Sequence, residues 1–101
     1  MSGYDYRAID DFIHSRVRLT IMSFLAAARS AEFTELKTQL KVSDGNLSTH
    51  LKKLEEAEYI SIRKLFQGKK PQTLIAISEK GDTAFQAYVE ELGQMIGLGK
   101  K

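Results

Sequence analysis

The stretch that most constrains the fold is Val42–Ile60, which reads VSDGNLSTHLKKLEEAEYI. Ser43 can cap a helix, because its hydroxyl accepts a hydrogen bond from a free backbone N–H of the first turn. Asp44 then places negative charge beside the positive end of the helix dipole. The apolar side chains that follow recur at the i, i+4, i+7 spacing of one helix face: Leu47, Leu51 and Leu54. The sequence therefore predicts a capped, amphipathic helix over residues 43–57.

The outer side of this predicted helix has two halves of different character. Its first three turns are small, polar or basic, whereas its acidic residues, Glu55, Glu56 and Glu58, are confined to the far end. A helix that begins in this way is suited to contact with a polyanion. The residues of the polar and basic half are Gly45, Asn46, Ser48, Thr49, His50, Lys52 and Lys53.

Three neighbouring segments resemble a helix-turn-helix: a short helix over Thr34–Leu40, a tight turn at Lys41–Val42, and the capped helix, which reads S-x-x-x-L-S-x-H-L-K-x-L-E-E-A. More narrowly, the chain is similar to the winged-helix transcription regulators of the ArsR and MarR type. Ser15–Met22 resembles the first helix of those families, and Ile77–Gly81 resembles their strand-to-helix corner. The resemblance covers most of the chain, from about Ile9 to Val89.

This resemblance implies an α+β, mainly α fold: a winged helix-turn-helix with a three-helix core, a two-stranded wing and a C-terminal dimerisation helix. It implies a single DNA-binding domain over residues 1–101, with the core at about 9–77 and the dimerisation helix at about 78–96. It also implies that helix 43–57 enters the major groove of double-stranded DNA. A basic wing at 63–72 would then lie on the flanking minor groove or the backbone.

A β-hairpin is predicted after the recognition helix. Tyr59–Phe66 alternates and is rich in β-branched and aromatic residues, and Thr73–Ile77 is a second short segment rich in β-branched residues. Between them, Gln67–Gln72 contains glycine and proline, which mark a turn. The hairpin therefore presents basic side chains at its tip and along its first strand: Arg63, Lys64, Lys69 and Lys70.

The distribution of charge also separates two regions of the chain. From Lys37 to Lys70 there are eight Lys and Arg residues against four Asp and Glu residues. From Glu79 to Glu91 the balance reverses, with four acids and one lysine. A basic middle and an acidic distal helix suggest one face for nucleic acid and another turned away from it.

The side chains assigned to DNA fall into two roles. Asn suits adenine, Lys suits guanine, and Ser or Thr serves either, so the first turns of the recognition helix are predicted to read bases. Lysines on the preceding helix and on the wing are candidates for phosphate contacts, which carry no sequence information. Asp44 fits this set less well, because phosphates repel a carboxylate. It would have to accept a hydrogen bond from cytosine or serve only to cap the helix. The full set is Lys37, Ser43, Asp44, Gly45, Asn46, Ser48, Thr49, His50, Lys52, Lys53, Arg63, Lys64, Lys69 and Lys70.

The beginning of the chain leaves alternatives open. The pattern becomes helical from Ile9, and Ser15 is predicted to cap an internal break that divides it into a short helix and a longer one. Arg16 and Arg18 lie in the first turn of that helix, where they can form ion pairs with Asp10 or Asp11, or contact a phosphate. The buried face of the longer helix is predicted to contain Val17, Ile21, Phe24, Leu25 and Ala28.

Two further segments are interpreted as irregular. Arg29–Glu32 reads as a connection, Phe33 as a single bridge of strand, and Thr34 as the cap of the second helix. Met1–Arg7, which contains two tyrosines, has no periodicity and is predicted to fray or to pack on a neighbouring chain.

A two-fold symmetric homodimer is predicted from the last helix, which Ser78 caps. An apolar stripe runs along this helix beyond what a three-helix core needs, and an exposed patch of that size is rare on soluble monomers. Pairing with its copy would bury the stripe; alternatively, the helix folds back over the first helix of its own chain. The predicted interface contains Phe12, Ile13, Phe85, Tyr88, Val89, Leu92, Met95 and Ile96.

Composition weighs against several other classes of protein. The chain has no cysteine, which excludes disulfides and thiolate metal sites, and His14 and His50 have no matching constellation of ligands. We therefore expect no cofactor, no metal and no enzymatic activity. No apolar run is long enough to cross a membrane and no signal sequence opens the chain, so the expected location is the cytoplasm.

Two functions fit these patterns. The first is a sequence-specific regulator that binds double-stranded DNA, and the second is a winged-helix module for protein–protein interaction without sequence-specific DNA binding. The polar and basic outer face of the recognition helix favours DNA, because a protein-binding version would more often expose apolar or acidic residues there. The sequence identifies neither the operator nor any small-molecule or protein effector.

Overall fold

The computed structural model describes residues 9–97, so the predictions for Met1–Arg7 lie outside the described residues. Four helices and three strands follow one another in the described part, and together they confirm the predicted mainly helical α+β fold. They are α1 (Arg16–Ala28), β1 (Ser30–Glu32), α2 (Phe33–Leu40), α3 (Asp44–Glu56), β2 (Ile60–Gln67), β3 (Lys70–Ile77) and α4 (Glu79–Met95).

The chain enters α1 through a single turn rather than through the short helix that was predicted. The Asp10 carboxylate accepts from the backbone N–H groups of Phe12 and Ile13, at 2.9 and 3.2 Å. An aspartate that satisfies nearby N–H groups in this way favours a turn over continued helix. Ser15 then caps α1 as predicted, with its hydroxyl accepting from the Arg18 N–H at 3.5 Å.

The buried face of α1 is wider than the predicted one and is shifted along the helix. Ile21, Met22 and Leu25 are fully buried, whereas Ala28 is exposed. Met22 is buried because α1 lies at the centre of the molecule and contacts α2, α3, α4 and β3. Ala28 is exposed because the helix ends there, with Arg29 at a positive φ of 72° that turns the chain into β1.

The sheet has three strands, one more than predicted. All pairs are antiparallel, in the order β1-β3-β2, and Ser30 lies opposite Ala76. The prediction that residues 29–32 form a plain connection, with a bridge at Phe33, is therefore wrong. A three-residue strand has no periodicity of its own, and β1 exists because β3 offers a free edge. Its extended backbone runs directly into α2, so that Glu32 rather than Thr34 occupies the N-cap.

The hairpin of β2 and β3 has a tighter turn than the predicted Gln67–Gln72 loop. The strands pair from Ile60 opposite Ile77 to Gln67 opposite Lys70, which leaves only Gly68 and Lys69 between them. Gly68 has the positive φ, 67°, that two-residue hairpin turns favour.

Proline within the second strand of this hairpin is accommodated by the sheet topology. Pro71 lies opposite Phe66, while β1 pairs only with Leu74–Ala76. Pro71 is therefore beyond the end of β1, at a point where its missing N–H interrupts no ladder with that strand.

The helix-turn-helix has the predicted geometry. Lys41 adopts the left-handed conformation at the C-cap of α2, and the Ser43 hydroxyl accepts from the Asn46 N–H at 3.1 Å. The three leucines of α3 are buried in the core between the helices and the sheet: Leu47, Leu51 and Leu54. Because these leucines fix the orientation of α3, its opposite face is directed to solvent.

The first half of α4 belongs to the core of its own chain. Ser78 caps the helix, with its hydroxyl accepting from the Gly81 N–H at 2.9 Å. Phe85 and Tyr88 are buried, and the Tyr88 hydroxyl lies 2.8 Å from His14 Nδ1. This part of the helix therefore follows the alternative in which α4 folds back over α1.

The predicted dimer interface must be corrected accordingly. Ile13, Phe85 and Tyr88 are buried within one chain and present no surface that a partner can cover. Further along α4 the exposure rises, to 47% for Val89 and 61% for Ile96.

Within residues 9–97, no helix has the length and apolar character required to cross a bilayer.

Candidate nucleic-acid interface

The outer face of α3 carries the predicted base-reading residues together. Asn46, Ser48, Thr49 and Lys52 are all exposed, on the side opposite the three buried leucines. Gly45 leaves open space beside them, since a Cβ added there would meet no atom within 4 Å. The same helix therefore combines an apolar face that anchors it with a polar face that has room for a ligand.

Asp44 is neutralised by a neighbouring helix. Its carboxylate forms an ion pair with Lys37 Nζ of α2, at 2.6 Å between N and O. The pair joins the two helices of the helix-turn-helix, and it leaves the start of α3 without a free negative charge. Both side chains are well exposed, so the pair itself contributes only about 0–1 kcal/mol. Lys37, a predicted phosphate contact, is therefore engaged by Asp44 in this structure.

Thr49 has a more restricted role than its residue type alone suggests. Its hydroxyl donates to the Gly45 carbonyl oxygen of the preceding turn, at 2.9 Å. With its proton engaged, the hydroxyl oxygen presents acceptor capacity to solvent, and the side chain adds a methyl group. That combination suits the amino groups of adenine or cytosine, or the methyl group of thymine.

His50 is held by Arg18, a link that the sequence did not predict. One guanidinium nitrogen of Arg18 lies 3.1 Å from His50 Nδ1, and Nε donates to the Phe12 carbonyl at 2.7 Å. Arginine only donates, so Nδ1 acts as the acceptor and the proton of the neutral ring is on Nε2. Burial lowers the pKa of His50, and the positive charges of Arg18 and Lys53 lower it further.

Of the two readings left open for Arg18, a structural role is the one observed, although with different partners from those predicted. The guanidinium lies over the Phe12 ring, 4.6 Å from its centroid, and contacts His50 rather than Asp10 or Asp11. Arg18 thereby ties the segment before α1 to the recognition helix.

Arg16 differs from Arg18 in its surroundings. It is exposed and lines a shallow cleft of about 270 Å³ beside the helix-turn-helix, together with Leu40 and Val42. The cleft places its guanidinium next to the turn between α2 and α3, where the first helix of such a motif crosses the DNA backbone. This position suits a phosphate contact.

The basic residues of the wing point in more than one direction. Successive residues of a strand alternate between the two faces of a sheet, so Arg63 and Lys64 lie on opposite faces of the hairpin. Lys69 lies in the turn and Lys70 begins β3, and both are exposed. The predicted wing cations thus surround the hairpin instead of forming one patch.

A groove of about 410 Å³ separates α3 from the wing. Apolar side chains form part of its lining, and two lysines, one from α3 and one from β2, border it. Because residues of the recognition helix and of the wing share this concavity, they can contact one ligand together. The lining residues are Phe33, Ser48, Leu51, Lys52, Glu55, Ile62, Lys64 and Thr73.

Sequence reasoning missed Phe66 at the end of the wing. Its side chain is 76% exposed, and Pro71 lies opposite it on β3. Alternation places Phe66 on the same face of the hairpin as Ile62 and Lys64. The available sequence signal was an aromatic residue directly before the predicted turn, beyond the charged Lys64 on the same face. Within residues 9–97, no three His, Cys, Asp or Glu side chains lie close enough to hold a metal ion.

Comparison with known proteins agrees with this geometry. Residues 17–96 match the family model of a winged helix DNA-binding domain. The chain is 39% identical over 82 residues to an uncharacterized protein of Methanocaldococcus jannaschii, an alignment that covers 81% of this chain and 89% of that protein.

Solved structures show the same arrangement of helices and strands. A transcriptional regulator homologue from Pyrococcus horikoshii OT3 is 27% identical, with a TM-score of 0.87 over 98% of this chain and 99% of that one. A mutant MarR from E. coli, complexed with operator DNA, is 19% identical, with a TM-score of 0.68. That match covers 77% of this chain and 55% of MarR, and at this identity it shows a shared fold.

Proposed function

The chain belongs to the winged helix DNA-binding domain family, and from this membership we propose that it is a transcriptional regulator that binds specific double-stranded DNA sequences as a homodimer. The fold and the family are those of DNA-binding transcription regulators, which are not enzymes. The observation that carries the proposal is the division of α3 into a buried leucine face and an exposed polar face.

In this proposal α3 enters the major groove and reads bases through its first turns. Asn46 suits adenine, Lys52 suits guanine, and Thr49 offers an acceptor oxygen and a methyl group. The ion pair between Lys37 and Asp44 supports this placement, because it leaves the start of α3 without a free negative charge. Arg16 and the wing lysines supply phosphate contacts that orient the helix.

The homodimer is proposed to form through the exposed end of α4. Val89 and Ile96 are exposed, Leu92 and Met95 are half-buried, and all four belong to the apolar stripe. A two-fold dimer would bind a near-palindromic operator whose half-sites are about one helical turn apart, ~34–36 Å. Phe12 contributes at most its outer edge, because it packs edge-to-face on Tyr59 with ring centroids 5.8 Å apart.

Selection from random duplex DNA, followed by binding measurements with variants, tests the proposal. We expect an enriched, near-palindromic sequence. On that sequence, Asn46→Ala or Thr49→Ala should cost about 1–3 kcal/mol of binding free energy, with a much smaller loss on random DNA. Each would remove a group that contacts a base edge.

Thr83→Ala is the matched control, since Thr83 is an exposed threonine in α4, away from the outer face of α3. Its affinity for the selected sequence should equal that of the parent protein. Equal losses on selected and random DNA would show that Asn46 and Thr49 do not read bases. A selection that enriches no sequence would favour the protein–protein interaction module instead.

A further inference from the structure

The β2–β3 hairpin is uniformly cationic. Its residues 60–77 include four Lys and Arg residues and no Asp or Glu. Three of these cations, Lys64, Lys69 and Lys70, lie within a few residues of the hairpin tip and are exposed. A partner at this tip is therefore selected for negative charge.

Within this cationic tip lies an apolar side chain without cover. Phe66 is the most exposed of the three large hydrophobic residues that are exposed in the described part of the chain. It lies one residue pair from the end of the hairpin ladder, opposite Pro71. The pair is beyond the reach of β1, whose pairing with β3 ends at Leu74, and is separated from the buried core.

The face on which Phe66 lies is the one that borders the recognition helix. Ile62 and Lys64 precede it on the same face of β2, and both line the groove against α3. About 3.3 Å of strand separates successive residues, so Phe66 lies about 7 Å further out than Lys64 along the hairpin. A duplex that occupies α3 and this groove would meet Phe66 next.

We propose that Phe66, with Pro71 beside it, is an apolar wedge that the wing inserts into the minor groove of the duplex bound by α3. The inference rests on the proposed function. The minor groove of B-DNA is only about 6 Å wide, too narrow for a two-stranded ribbon. A single side chain at the ribbon's end can enter it, and apolar side chains inserted there part base steps and bend the duplex toward the major groove. The neighbouring lysines then lie along the phosphates on either side.

The charge and composition of the hairpin favour a DNA duplex over a second copy of the wing or a single-stranded nucleic acid as the partner of Phe66. A second copy of the wing would bring four more cations against these four, which disfavours wing-to-wing contact. Single-stranded nucleic acid is held by several aromatic side chains that stack successive bases. Phe66 is the only aromatic residue between Ile60 and Ile77. A DNA duplex suits the hairpin better, because its negative backbone can pair with the lysines and its narrow groove can take the single Phe66 ring.

The wedge predicts a separation between affinity and salt dependence. Phe66→Ala should weaken binding to the selected duplex by about tenfold or more, as other losses of aromatic contact with bases do. The slope of log affinity against log salt should stay unchanged, because an apolar contact releases no counterions. Replacing both Lys69 and Lys70 with Ala should instead flatten that slope by up to ~2 units.

The bend of the DNA is the second measurement. Energy transfer between dyes at the two ends of the selected duplex should report a bend with the parent protein and a straighter duplex with Phe66→Ala. Phe66→Trp keeps an aromatic wedge and should restore both affinity and bend. Since Phe66 is largely exposed, circular dichroism should show that all three proteins are equally folded.

Several outcomes would overturn the wedge. Unchanged affinity and an unchanged DNA bend in Phe66→Ala would do so. A Phe66→Ala protein whose mass in free solution changes while its DNA affinity does not would also do so, because Phe66 would then contact a second copy of the chain. If Asn46→Ala and the lysine variants still weaken binding, the proposed function stands while the wedge falls. If none of these variants alters DNA binding, the proposed function itself fails.

Discussion

Arg18 joins parts of the molecule that lie far apart in the sequence. It contacts the Phe12 ring and carbonyl on one side and His50 of the recognition helix on the other. Arg18 therefore links the segment before α1 to α3. The contact requires a neutral His50, because a protonated imidazole has no acceptor at Nδ1.

This requirement predicts a pH dependence at the residue scale. The pKa of His50 lies below its ordinary value of 6.5 in the folded protein. Between that lower value and 6.5 the unfolded chain binds more protons than the folded one, so stability is lost as the pH falls through this window.

Comparison of the parent protein with His50→Gln measures the contribution of His50 to the pH dependence of folding stability. The midpoint of urea unfolding, taken at about pH 8 and about pH 5.5, should fall less on acidification for His50→Gln than for the parent. His14→Gln is the control, because it leaves His50 in place and should retain the parent's His50 contribution. Identical acid sensitivity of the parent and His50→Gln would contradict the argument.

At the scale of elements, the junction between the wing and α4 depends on one glycine. The Tyr59 carbonyl oxygen accepts from the Ser78 N–H at 2.9 Å and lies directly against Gly81. A Cβ at Gly81 would overlap this carbonyl, and both partners are backbone, so neither can rotate away. The glycine of the strand-to-helix corner is thus required by close approach and not by its own φ.

Gly81→Ala should therefore destabilise the fold by about 1–3 kcal/mol, the usual cost of overpacking. Gly45→Ala is a matched control, since Gly45 also lies in the first turn of a helix and has open space around its Cα. There the substitution should stabilise by up to about 1 kcal/mol, because alanine is the better helix former. Thermal or urea unfolding of both variants tests the contrast, and equal changes would refute it.

The elements also show how far the sequence predicts this structure. α3 was predicted with its cap and its leucine face because both are local patterns. β1 was not, because its only support is β3, whose Ala76 pairs with Ser30 across the whole helix-turn-helix. The candidate interface also has a part that the sequence predicts and a part that it does not. The exposed face of α3 follows from helical periodicity. The Lys37–Asp44 and Arg18–His50 contacts depend on distances between helices that no local pattern encodes.

At the scale of the whole molecule, the structure identifies Val89 rather than Leu92 as the position at which to test the dimer. Leu92 packs against the core of its own chain, so Leu92→Glu would disturb folding as well as association. Val89 is nearly half exposed and lies in the same stripe. Val89→Glu should therefore give a folded monomer that loses most of its affinity for a full palindromic operator and retains that for a half-site.

Sedimentation at micromolar concentration, with DNA binding in parallel, checks this prediction. Thr83→Glu serves as the control, because it adds the same charge to an exposed position in the first half of α4 and should leave the dimer intact. A parent protein that sediments as a monomer, with Val89→Glu unchanged in mass and affinity, would refute the dimer.

The open edges of the small sheet have a consequence for solubility. β2 is an outer strand along its whole length, and the tip of β3 extends beyond β1, so both could recruit a strand from another molecule. Pro71 has no N–H to offer at the tip of β3, and Arg63 and Lys64 place charge on β2, both recognised means of blocking strand addition. The cations and the proline of the wing therefore also disfavour edge-to-edge aggregation of the protein.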